Sequence, residues 1–290
     1  MKKAIITGAN GQLGSALKRL KPSLNNIEFV YSDIDTLDLL DKEAVEKFIS
    51  KEKPDYIINC AAFTAVDKAE TETELAEKVN AHAPAFLSEL SVKYNYRFIH
   101  ISTDYVFSGK QHLPTTEETP TDPESEYGRT KLLGEQMVMK ASDAVVLRTS
   151  WLYSVFGNNF VKSMLRFGAE REEIGVVYDQ VGTPTNAADL AKAITIIITQ
   201  HIEGGAWNPG IYHFSNEGVC SWYDFAKEIM SLAKLPCKVN PILTHEYPLP
   251  APRPAFSVMD KKKIKETFNF AIPYWKDSLV KAVTELTANN

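Results

Sequence analysis

The 290-residue sequence has few cysteines, no basic excess and no long apolar run. Cys60, Cys220 and Cys237 are odd in number and far apart, so they indicate neither a disulfide framework nor a metal-ligand spacing. The net charge of −5 argues against a general nucleic-acid binder, because such proteins are usually basic. The apolar run 193–199 is far shorter than the ~18–20 residues of a membrane span. These absences predict a cytoplasmic protein with reduced thiols and with neither a nucleic-acid nor a membrane partner.

What remains is an ordinary globular composition in which short β-branched runs alternate with helix-length amphipathic segments. The predicted strands are 4–7, 28–32, 55–59, 97–102 and 144–149. The predicted helices between them are 12–20, 42–51, 74–94 and 126–140. Such alternation indicates an α/β fold of the Rossmann type, a doubly wound parallel sheet covered by helices on both faces.

The alternation breaks after residue 150. Helices are predicted at 160–171, 186–200 and 276–287, with strands at 175–178 and 210–215, and Ser221 and Asp224 form a capping box that opens a helix at Trp222. The segment 240–254 carries five prolines and is predicted to be mostly loop. We expect a dinucleotide-binding domain at 1–150, to which 186–215 returns, and a smaller substrate-binding lobe made of 151–185 and 216–290.

A glycine-rich turn follows the first predicted strand directly and opens a helix. Its sequence is Gly8-Ala-Asn10-Gly11-Gln12-Leu13-Gly14. The first glycine permits a tight turn, the second lets the backbone approach a pyrophosphate, and the third lets helix and strand pack closely. Because the helix N-terminus also offers free N–H groups to phosphates, this context predicts dinucleotide binding.

Asp33 follows the second predicted strand. An acidic residue there would accept a hydrogen bond from a ribose 2′-hydroxyl and favour NADH. Asp33 could equally be a turn residue, so the choice between NADH and NADPH stays open.

The pair Tyr127 and Lys131 lies downstream of the strand that ends in Ser102 and Thr103. Residues four apart share one helix face, so the lysine charge is expected to lower the pKa of the phenol. Thr103 would then hold a substrate carbonyl oxygen at the carboxyl edge of the sheet, and Tyr127 would donate a proton to it.

The non-functional interpretation of such a pair is an amphipathic helix with two solvated side chains. A second copy of the spacing, Tyr223 and Lys227, has neither a glycine turn nor a Ser-Thr strand upstream and receives that interpretation. His100 lies inside a predicted strand and is interpreted as a buried, hydrogen-bonded histidine rather than a catalyst.

These motifs resemble the extended short-chain dehydrogenases/reductases, and most closely the dTDP-4-dehydrorhamnose reductase family. The resembling segments cover nearly the whole chain: 8–14, 59–70, 102–107, 127–131, 148–153, 157–160, 179–185 and 253–257. The resemblance implies reduction of the 4-keto group of dTDP-4-dehydro-L-rhamnose by NADPH or NADH, the last step of dTDP-rhamnose biosynthesis.

The resemblance also implies site residues. The catalytic set is Thr103, Tyr127 and Lys131. The expected cofactor contacts come from the glycine turn, from Asp33 and from the resembling segments. They are Gly8, Asn10, Gly11, Gln12, Leu13, Gly14, Asp33, Asp38, Leu39, Ala61, Ala62, Phe63, Ile101, Tyr127 and Lys131. The sugar-nucleotide contacts are Thr103, Asp104, Trp151, Asn159 and Arg253.

Some members of this family bridge a homodimer through Mg²⁺ held by acidic residues. Here Ser15 stands directly after the last glycine, and the segment at Asn186 is not acidic. The sequence therefore gives no support to a metal, and a homodimer stays open.

Two other functions remain as alternatives. Dehydratases of the same superfamily need an Asp-Glu pair after the threonine, whereas Asp104 is followed here by Tyr105; other nucleotide-sugar reductases and epimerases are less firmly excluded. A non-catalytic dinucleotide-binding regulatory subunit of the methionine adenosyltransferase beta type is the alternative from a different class. Thr103 and Trp151 favour the reductase, because a regulatory subunit needs no complete carbonyl site.

Overall fold

The computed structural model of the chain describes residues 1–20 and 26–288. The helices are α1 Gln12–Leu20, α2 Lys42–Glu52, α3 Val66–Ala69, α4 Thr73–Glu77, α5 Ala83–Tyr94, α6 Glu126–Ala141, α7 Phe160–Glu170, α8 Ala187–Ile202, α9 Trp222–Ala233, α10 Lys262–Phe268 and α11 Trp275–Ala288. The strands are β1 Lys2–Thr7, β2 Ile27–Tyr31, β3 Tyr56–Asn59, β4 Arg97–Thr103, β5 Val145–Thr149, β6 Leu152–Tyr153, β7 Glu173–Val177, β8 Val181–Gly182, β9 Thr185–Asn186, β10 Gly210–Phe214, β11 Cys220–Ser221 and β12 Lys238–Ile242.

Six strands form one parallel sheet in the order β2-β1-β3-β4-β5-β10. The chain winds outward from β1 in one direction to β2, and then from β3 in the other. The strand order therefore reverses between β1 and β3, and ligands of open α/β sheets bind at such a switch point, beyond the carboxyl ends of the strands. The predicted doubly wound fold is confirmed.

Apolar side chains cover both faces of this sheet. On one face, α1, α8 and α10 pack against residues such as Ile6, Ile58 and Leu147. On the other face, α2, α5 and α6 pack against Ile5 and Ile57. A third apolar cluster is built from later elements, chiefly α7, α9, α11, β7 and β12. The domain boundary at residue 150 remains a prediction, although β10 and α8, from the segment 186–215, do lie on the six-stranded sheet.

The predicted helix at 74–94 differs from the structure in its middle. Residues Lys78–His82 form a π-helical segment between α4 and α5. A π-bulge widens the turn and commonly marks a functional position. It places the buried Asn80 where its side chain accepts a hydrogen bond from Phe63 N at 2.8 Å and donates one to Thr130 Oγ1 at 3.1 Å. Periodicity alone could not locate this change.

Several short elements were not predicted. The segment 240–254 is not all loop, because residues 240–242 end strand β12, which pairs in parallel with β7. The two-residue strands β6, β8, β9 and β11 and the helices α3 and α10 are too short to give a periodic signal. Among the described residues, no helix is both long and apolar enough to cross a membrane.

Candidate active site

A cleft of about 790 Å³ opens at the carboxyl ends of β1, β3, β4 and β5. Most of the residues expected from the sequence line this cleft: Gly8, Gly11, Gln12, Leu13, Asp33, Asp38, Leu39, Ala61, Ala62, Ile101, Thr103, Asp104, Tyr127, Lys131, Trp151 and Asn159. Segments that are far apart in the sequence therefore meet in one place. A smaller part of the expected set, Asn10, Gly14, Phe63 and Arg253, does not line it.

The glycine turn forms one end of the cleft. Gly8 has φ +61°, and a Cβ there would lie 2.6 Å from Ala61 N. A Cβ on Gly14 would lie 2.5 Å from Gly8 O, so this glycine lets α1 pack on the turn rather than face the cleft. A Cβ on Gly11 would meet only Gly8 O, at 3.2 Å. Gly8 and Gly14 are therefore required by close contacts within the protein, whereas Gly11 leaves the backbone accessible from the cleft.

Asp33 stabilises this turn from the neighbouring strand end. Its Oδ2 accepts a hydrogen bond from Asn10 N at 2.7 Å, and its Oδ1 accepts one from Ile34 N at 2.8 Å. Asp33 therefore acts as a turn residue while still lining the cleft. The backbone of Asn10 is held by this contact, and its side-chain oxygen accepts from Lys18 Nζ at 2.9 Å.

Thr103, Tyr127 and Lys131 line the same cleft. Thr103 Oγ1 donates to Asp104 Oδ1 at 3.0 Å and accepts from Tyr105 N at 3.2 Å. Lys131 Nζ donates to the carbonyl oxygen of Ile101 at 2.6 Å. Because Thr103 ends β4 and the other two lie one turn apart on α6, a hydroxyl, a phenol and an ammonium are held by rigid elements.

The predicted lowering of the Tyr127 pKa is wrong for the protein alone. Burial raises the pKa of Tyr127 to about 12, and a hydrogen bond with Thr103 only partly offsets this. Burial also lowers the pKa of Lys131 to about 8. Tyr127 consequently carries its proton at neutral pH, as a proton donor must.

Asp104 adds a buried carboxyl group beside Thr103. Burial raises the pKa of Asp104 to about 7, against hydrogen bonds that lower it. Its Oδ2 lies near the Ser257 hydroxyl, but neither atom makes a well-formed hydrogen bond among the described residues, and the cleft-lining hydroxyls of Ser32, Ser102 and Thr149 have no partner there either. Buried polar atoms are rarely left without partners in native proteins, so this part of the cleft suits a ligand rich in hydroxyl groups and phosphate oxygens.

A pair of stacked tryptophans closes the cleft on the side of the C-terminal elements. The rings of Trp151 and Trp222 lie 3.6 Å apart with planes 9° from parallel, and Phe160 packs against Trp222 at 4.6 Å. Trp151 has φ +46°, in the left-handed region, and one face of its indole is covered by Trp222. It therefore does not present both faces to a ligand.

Trp222 also lines the cleft but was not predicted as a site residue. The only sequence signal was the capping box, which the structure confirms: Asp224 N donates to Ser221 Oγ at 3.0 Å, and Ser221 N donates to Asp224 Oδ2 at 3.0 Å. The cap fixes Trp222 as the first residue of α9. An aromatic residue at the start of a rigid helix is a signal that could have raised this residue as a candidate.

Two expected residues, Arg253 outside the lining of the cleft and Asn159 within it, pair with distant parts of the chain. Arg253 forms a two-point ion pair with Asp67, with N–O distances of 2.6 and 2.7 Å. Asp67 is thereby paired with a residue 186 positions further along the chain. Asn159 donates from Nδ2 to Gln12 Oε1 at 3.1 Å and so links the start of α7 to the glycine turn.

The two ring nitrogens of His100 differ in their hydrogen bonding. Its Nδ1 lies 3.1 Å from Asn59 Nδ2, whereas its Nε2 has no partner among the described residues. Burial, together with the charge of Lys131, holds the pKa of His100 well below its usual value. The imidazole is therefore neutral at physiological pH. In the described ranges, no group of three or more histidine, cysteine or acidic side chains is placed to hold a metal ion.

Comparison with known proteins gives a consistent result. Residues 1–288 match the family model described as the RmlD substrate binding domain. The dTDP-4-dehydrorhamnose reductase of Aggregatibacter actinomycetemcomitans is 39% identical over 96% of this chain and 97% of its own. A probable dTDP-4,6-dihydroxy-2-methyloxan-3-one 4-ketoreductase of Streptomyces antibioticus is also 39% identical, over 98% of this chain and 95% of its own.

Among solved structures, the dTDP-4-dehydrorhamnose reductase of Bacillus anthracis in complex with NADP is 39% identical to this chain and superposes with a TM-score of 0.91. The match covers 98% of this chain and all of that one. The fold, the cleft and the similarity thus agree over almost the full length. The chain belongs to the dTDP-4-dehydrorhamnose reductase family of extended short-chain dehydrogenases/reductases.

Proposed function

We propose that the protein reduces the 4-keto group of dTDP-4-dehydro-L-rhamnose to dTDP-L-rhamnose with NADPH or NADH. The observation that carries this proposal is that Thr103, Tyr127 and Lys131 line the same cleft as the glycine turn. The cofactor, when bound, supplies the hydride. Thr103 Oγ1 holds the carbonyl oxygen, Tyr127 donates the proton to it, and the Lys131 ammonium stabilises the resulting tyrosinate.

The atoms that line the cleft fit a dinucleotide. Gly11 leaves backbone open at the start of α1, where free N–H groups and the helix dipole favour a pyrophosphate. The hydroxyls of Ser32, Ser102 and Thr149 can pair with ribose or phosphate oxygens. Asp33 is engaged by Asn10 N, which weakens its predicted role as a 2′-hydroxyl acceptor. The NADP-bound relative supports the use of NADPH.

Substrate recognition is assigned to Asp104, Trp151 and Asn159. The free Oδ2 of Asp104 can accept a hydrogen bond from a sugar hydroxyl, and the tryptophan provides an apolar wall. Arg253 is more remote. Its guanidinium would have to share its ion pair with Asp67, or leave it, before it could bind a diphosphate.

The deciding experiment follows NADPH oxidation by absorbance with dTDP-4-dehydro-L-rhamnose, and with NADH in parallel. Substrate-dependent oxidation that yields dTDP-L-rhamnose is the expected result. Tight NADPH binding without any such oxidation would contradict the proposal and favour the regulatory-subunit alternative, which has no support among the relatives described above.

A second candidate is reduction of the 4-keto group of a different dTDP-sugar. The equal identity to the Streptomyces antibioticus protein favours keeping it. A direct comparison of kcat/KM for the two keto sugars separates the candidates, because the substrate with the higher value identifies the sugar that the cleft accepts better. The predicted cytoplasmic location belongs to the same proposal. The homodimer that the sequence leaves open is tested by size-exclusion chromatography.

Trp222→Ala is expected to raise KM for the keto sugar about 2–10-fold, with the NADPH dissociation constant nearly unchanged, because Trp151 loses the stacked ring that holds its indole in place, a contact of about 0.5–1.5 kcal/mol beyond its buried area. Steady-state kinetics and cofactor titration measure both effects. Trp207→Ala is the matched control. That tryptophan packs near Tyr56 and His201, outside the lining of the cleft, and should leave KM unchanged. An unchanged KM in Trp222→Ala would remove Trp222 from the substrate site.

The reaction is expected to slow as the pH rises through about 8. Burial lowers the pKa of Lys131 to about 8, so the ammonium loses its proton in that range, whereas Tyr127, with a pKa of about 12, keeps its own. The alkaline limb of kcat therefore reports Lys131. A pH profile that stays flat up to pH 10 would contradict this assignment.

A further inference from the structure

A buried ion pair lies beneath the reactive end of α6. Arg148, on β5, is 3% exposed, and Glu135, on α6, is 1% exposed. The guanidinium contacts both carboxylate oxygens: Nε donates to Oε1 at 3.0 Å and Nη2 donates to Oε2 at 2.7 Å. A buried ion pair is weak evidence for stability by itself, because desolvation offsets its attraction. Its position therefore invites a functional explanation.

Lys131 lies four residues before Glu135 on the same helix, so the two side chains share one face. Lys131 is also only 2% exposed, and its Nζ donates to Ile101 O at 2.6 Å. Burial alone drives the lysine towards its neutral form, and Glu135 acts in the opposite direction on the pKa of Lys131. The carboxylate thus opposes the cost of burying the ammonium.

The other titratable groups around this helix act differently. Asp104, a further buried carboxyl in the cleft, raises the pKa of Tyr127, whereas the charge that raises the pKa of Lys131 is that of Glu135. From the strands, His100 and His213 face the site, and burial keeps both imidazoles neutral by lowering their pKa values, to about 3 for His213. On the same helix Tyr127 stays protonated. At the surface, Arg129 of α6 pairs with Glu126 of the same helix and with Glu77 of α4, and the His82 ring of the π-helical segment lies 3.4 Å from Glu77.

We propose that Glu135, held in place by Arg148, is a positioning residue that supplies the counter-charge of Lys131 and so sets the alkaline limit of the reaction. Arg148 fixes the carboxylate at two points, so Glu135 cannot swing towards Lys131 and draw its ammonium away from the cleft. The Glu135 carboxylate acts on Lys131 electrostatically, across the helix face that they share, rather than through a direct ion pair. This inference rests on the proposed reduction, since it concerns the lysine of that site.

The test compares the pH profiles of kcat for the wild type, Glu135→Gln and the double variant Glu135→Gln/Arg148→Met. Removal of the Glu135 charge, one helical turn from Lys131, is expected to move the alkaline limb of the kcat profile down by about 1–2 pH units. The double variant covers the case in which the single variant leaves Arg148 unpaired and fails to fold, because neutral replacements of a buried pair are often tolerated. Its limb should also lie below that of the wild type.

The control is Glu126→Gln, which removes an exposed carboxylate from the same helix and should keep the wild-type limb. A folded Glu135 variant whose limb coincides with the wild-type limb would overturn the proposal, even if its kcat is lower. The pH dependence of NADPH affinity provides a second readout of the same titration. If the wild type does not turn over the keto sugar, the proposed function fails, whereas an unshifted titration of NADPH binding in the variants refutes the role of Glu135.

Discussion

Tyr127→Phe is expected to reduce kcat by about 10²–10⁴-fold while the NADPH dissociation constant stays nearly unchanged. The substitution removes only the phenolic oxygen. The ring contact with Tyr105, at 5.4 Å between centroids, can be retained, so α6 keeps its place. Rapid-mixing or steady-state measurement of NADPH oxidation gives kcat, and fluorescence titration gives the affinity.

Tyr223→Phe provides the matched control for this experiment. That tyrosine has the same spacing to a lysine, but it lies on α9 beside a separate cavity lined by residues such as Val219 and Pro241. It should be kinetically silent. A fully active Tyr127→Phe enzyme would refute the assigned proton donor and would leave proton transfer to Thr103 or to Asp104.

Gly8→Ala and Gly11→Ala are expected to fail in different ways. Gly8 has φ +61°, and its new Cβ would overlap Ala61 N at 2.6 Å, so the strained backbone and overpacking together should destabilise the protein by about 2–5 kcal/mol. Gly11 has no positive φ, and its Cβ would meet only Gly8 O at 3.2 Å, so the fold should persist.

The second substitution should act on the cofactor instead. A methyl group on Gly11 would stand where the pyrophosphate is expected to approach the backbone, so NADPH affinity should fall by at least about tenfold. Thermal unfolding of the two variants without cofactor, followed by NADPH titration, separates the effects. Equal melting temperatures, or an unchanged affinity in Gly11→Ala, would contradict the division of roles between the two glycines.

The sequence predicted those features whose signals are local. The glycine turn, the Ser-Thr strand end and the Tyr127–Lys131 spacing each occupy a few consecutive residues, and the alternation of strands and helices places them on one edge of a sheet. The family motifs added contacts such as Trp151. Their meeting in one cleft follows from the fold.

Features that depend on distant partners could not be predicted. The stacking of Trp222 on Trp151 joins segments 71 residues apart (222 − 151). The pairing of Arg253 with Asp67 joins residues 186 apart in the sequence. The direction of the Tyr127 pKa shift was also mistaken, because the spacing of a tyrosine and a lysine says nothing about how strongly burial desolvates the phenol.

Close backbone approach along α6 has a consequence for redesign of this enzyme. A Cβ on Gly128 would lie 2.2 Å from Tyr105 O, and one on Gly134 would lie 2.1 Å from Asn80 O. The helix is therefore held against neighbouring backbone at two points, one directly after Tyr127 and one three residues after Lys131, and it cannot slide or rotate to suit a new ketone. Directed evolution towards other sugars should accordingly accumulate its useful changes around α9 and the tryptophan stack, and leave α6 unaltered.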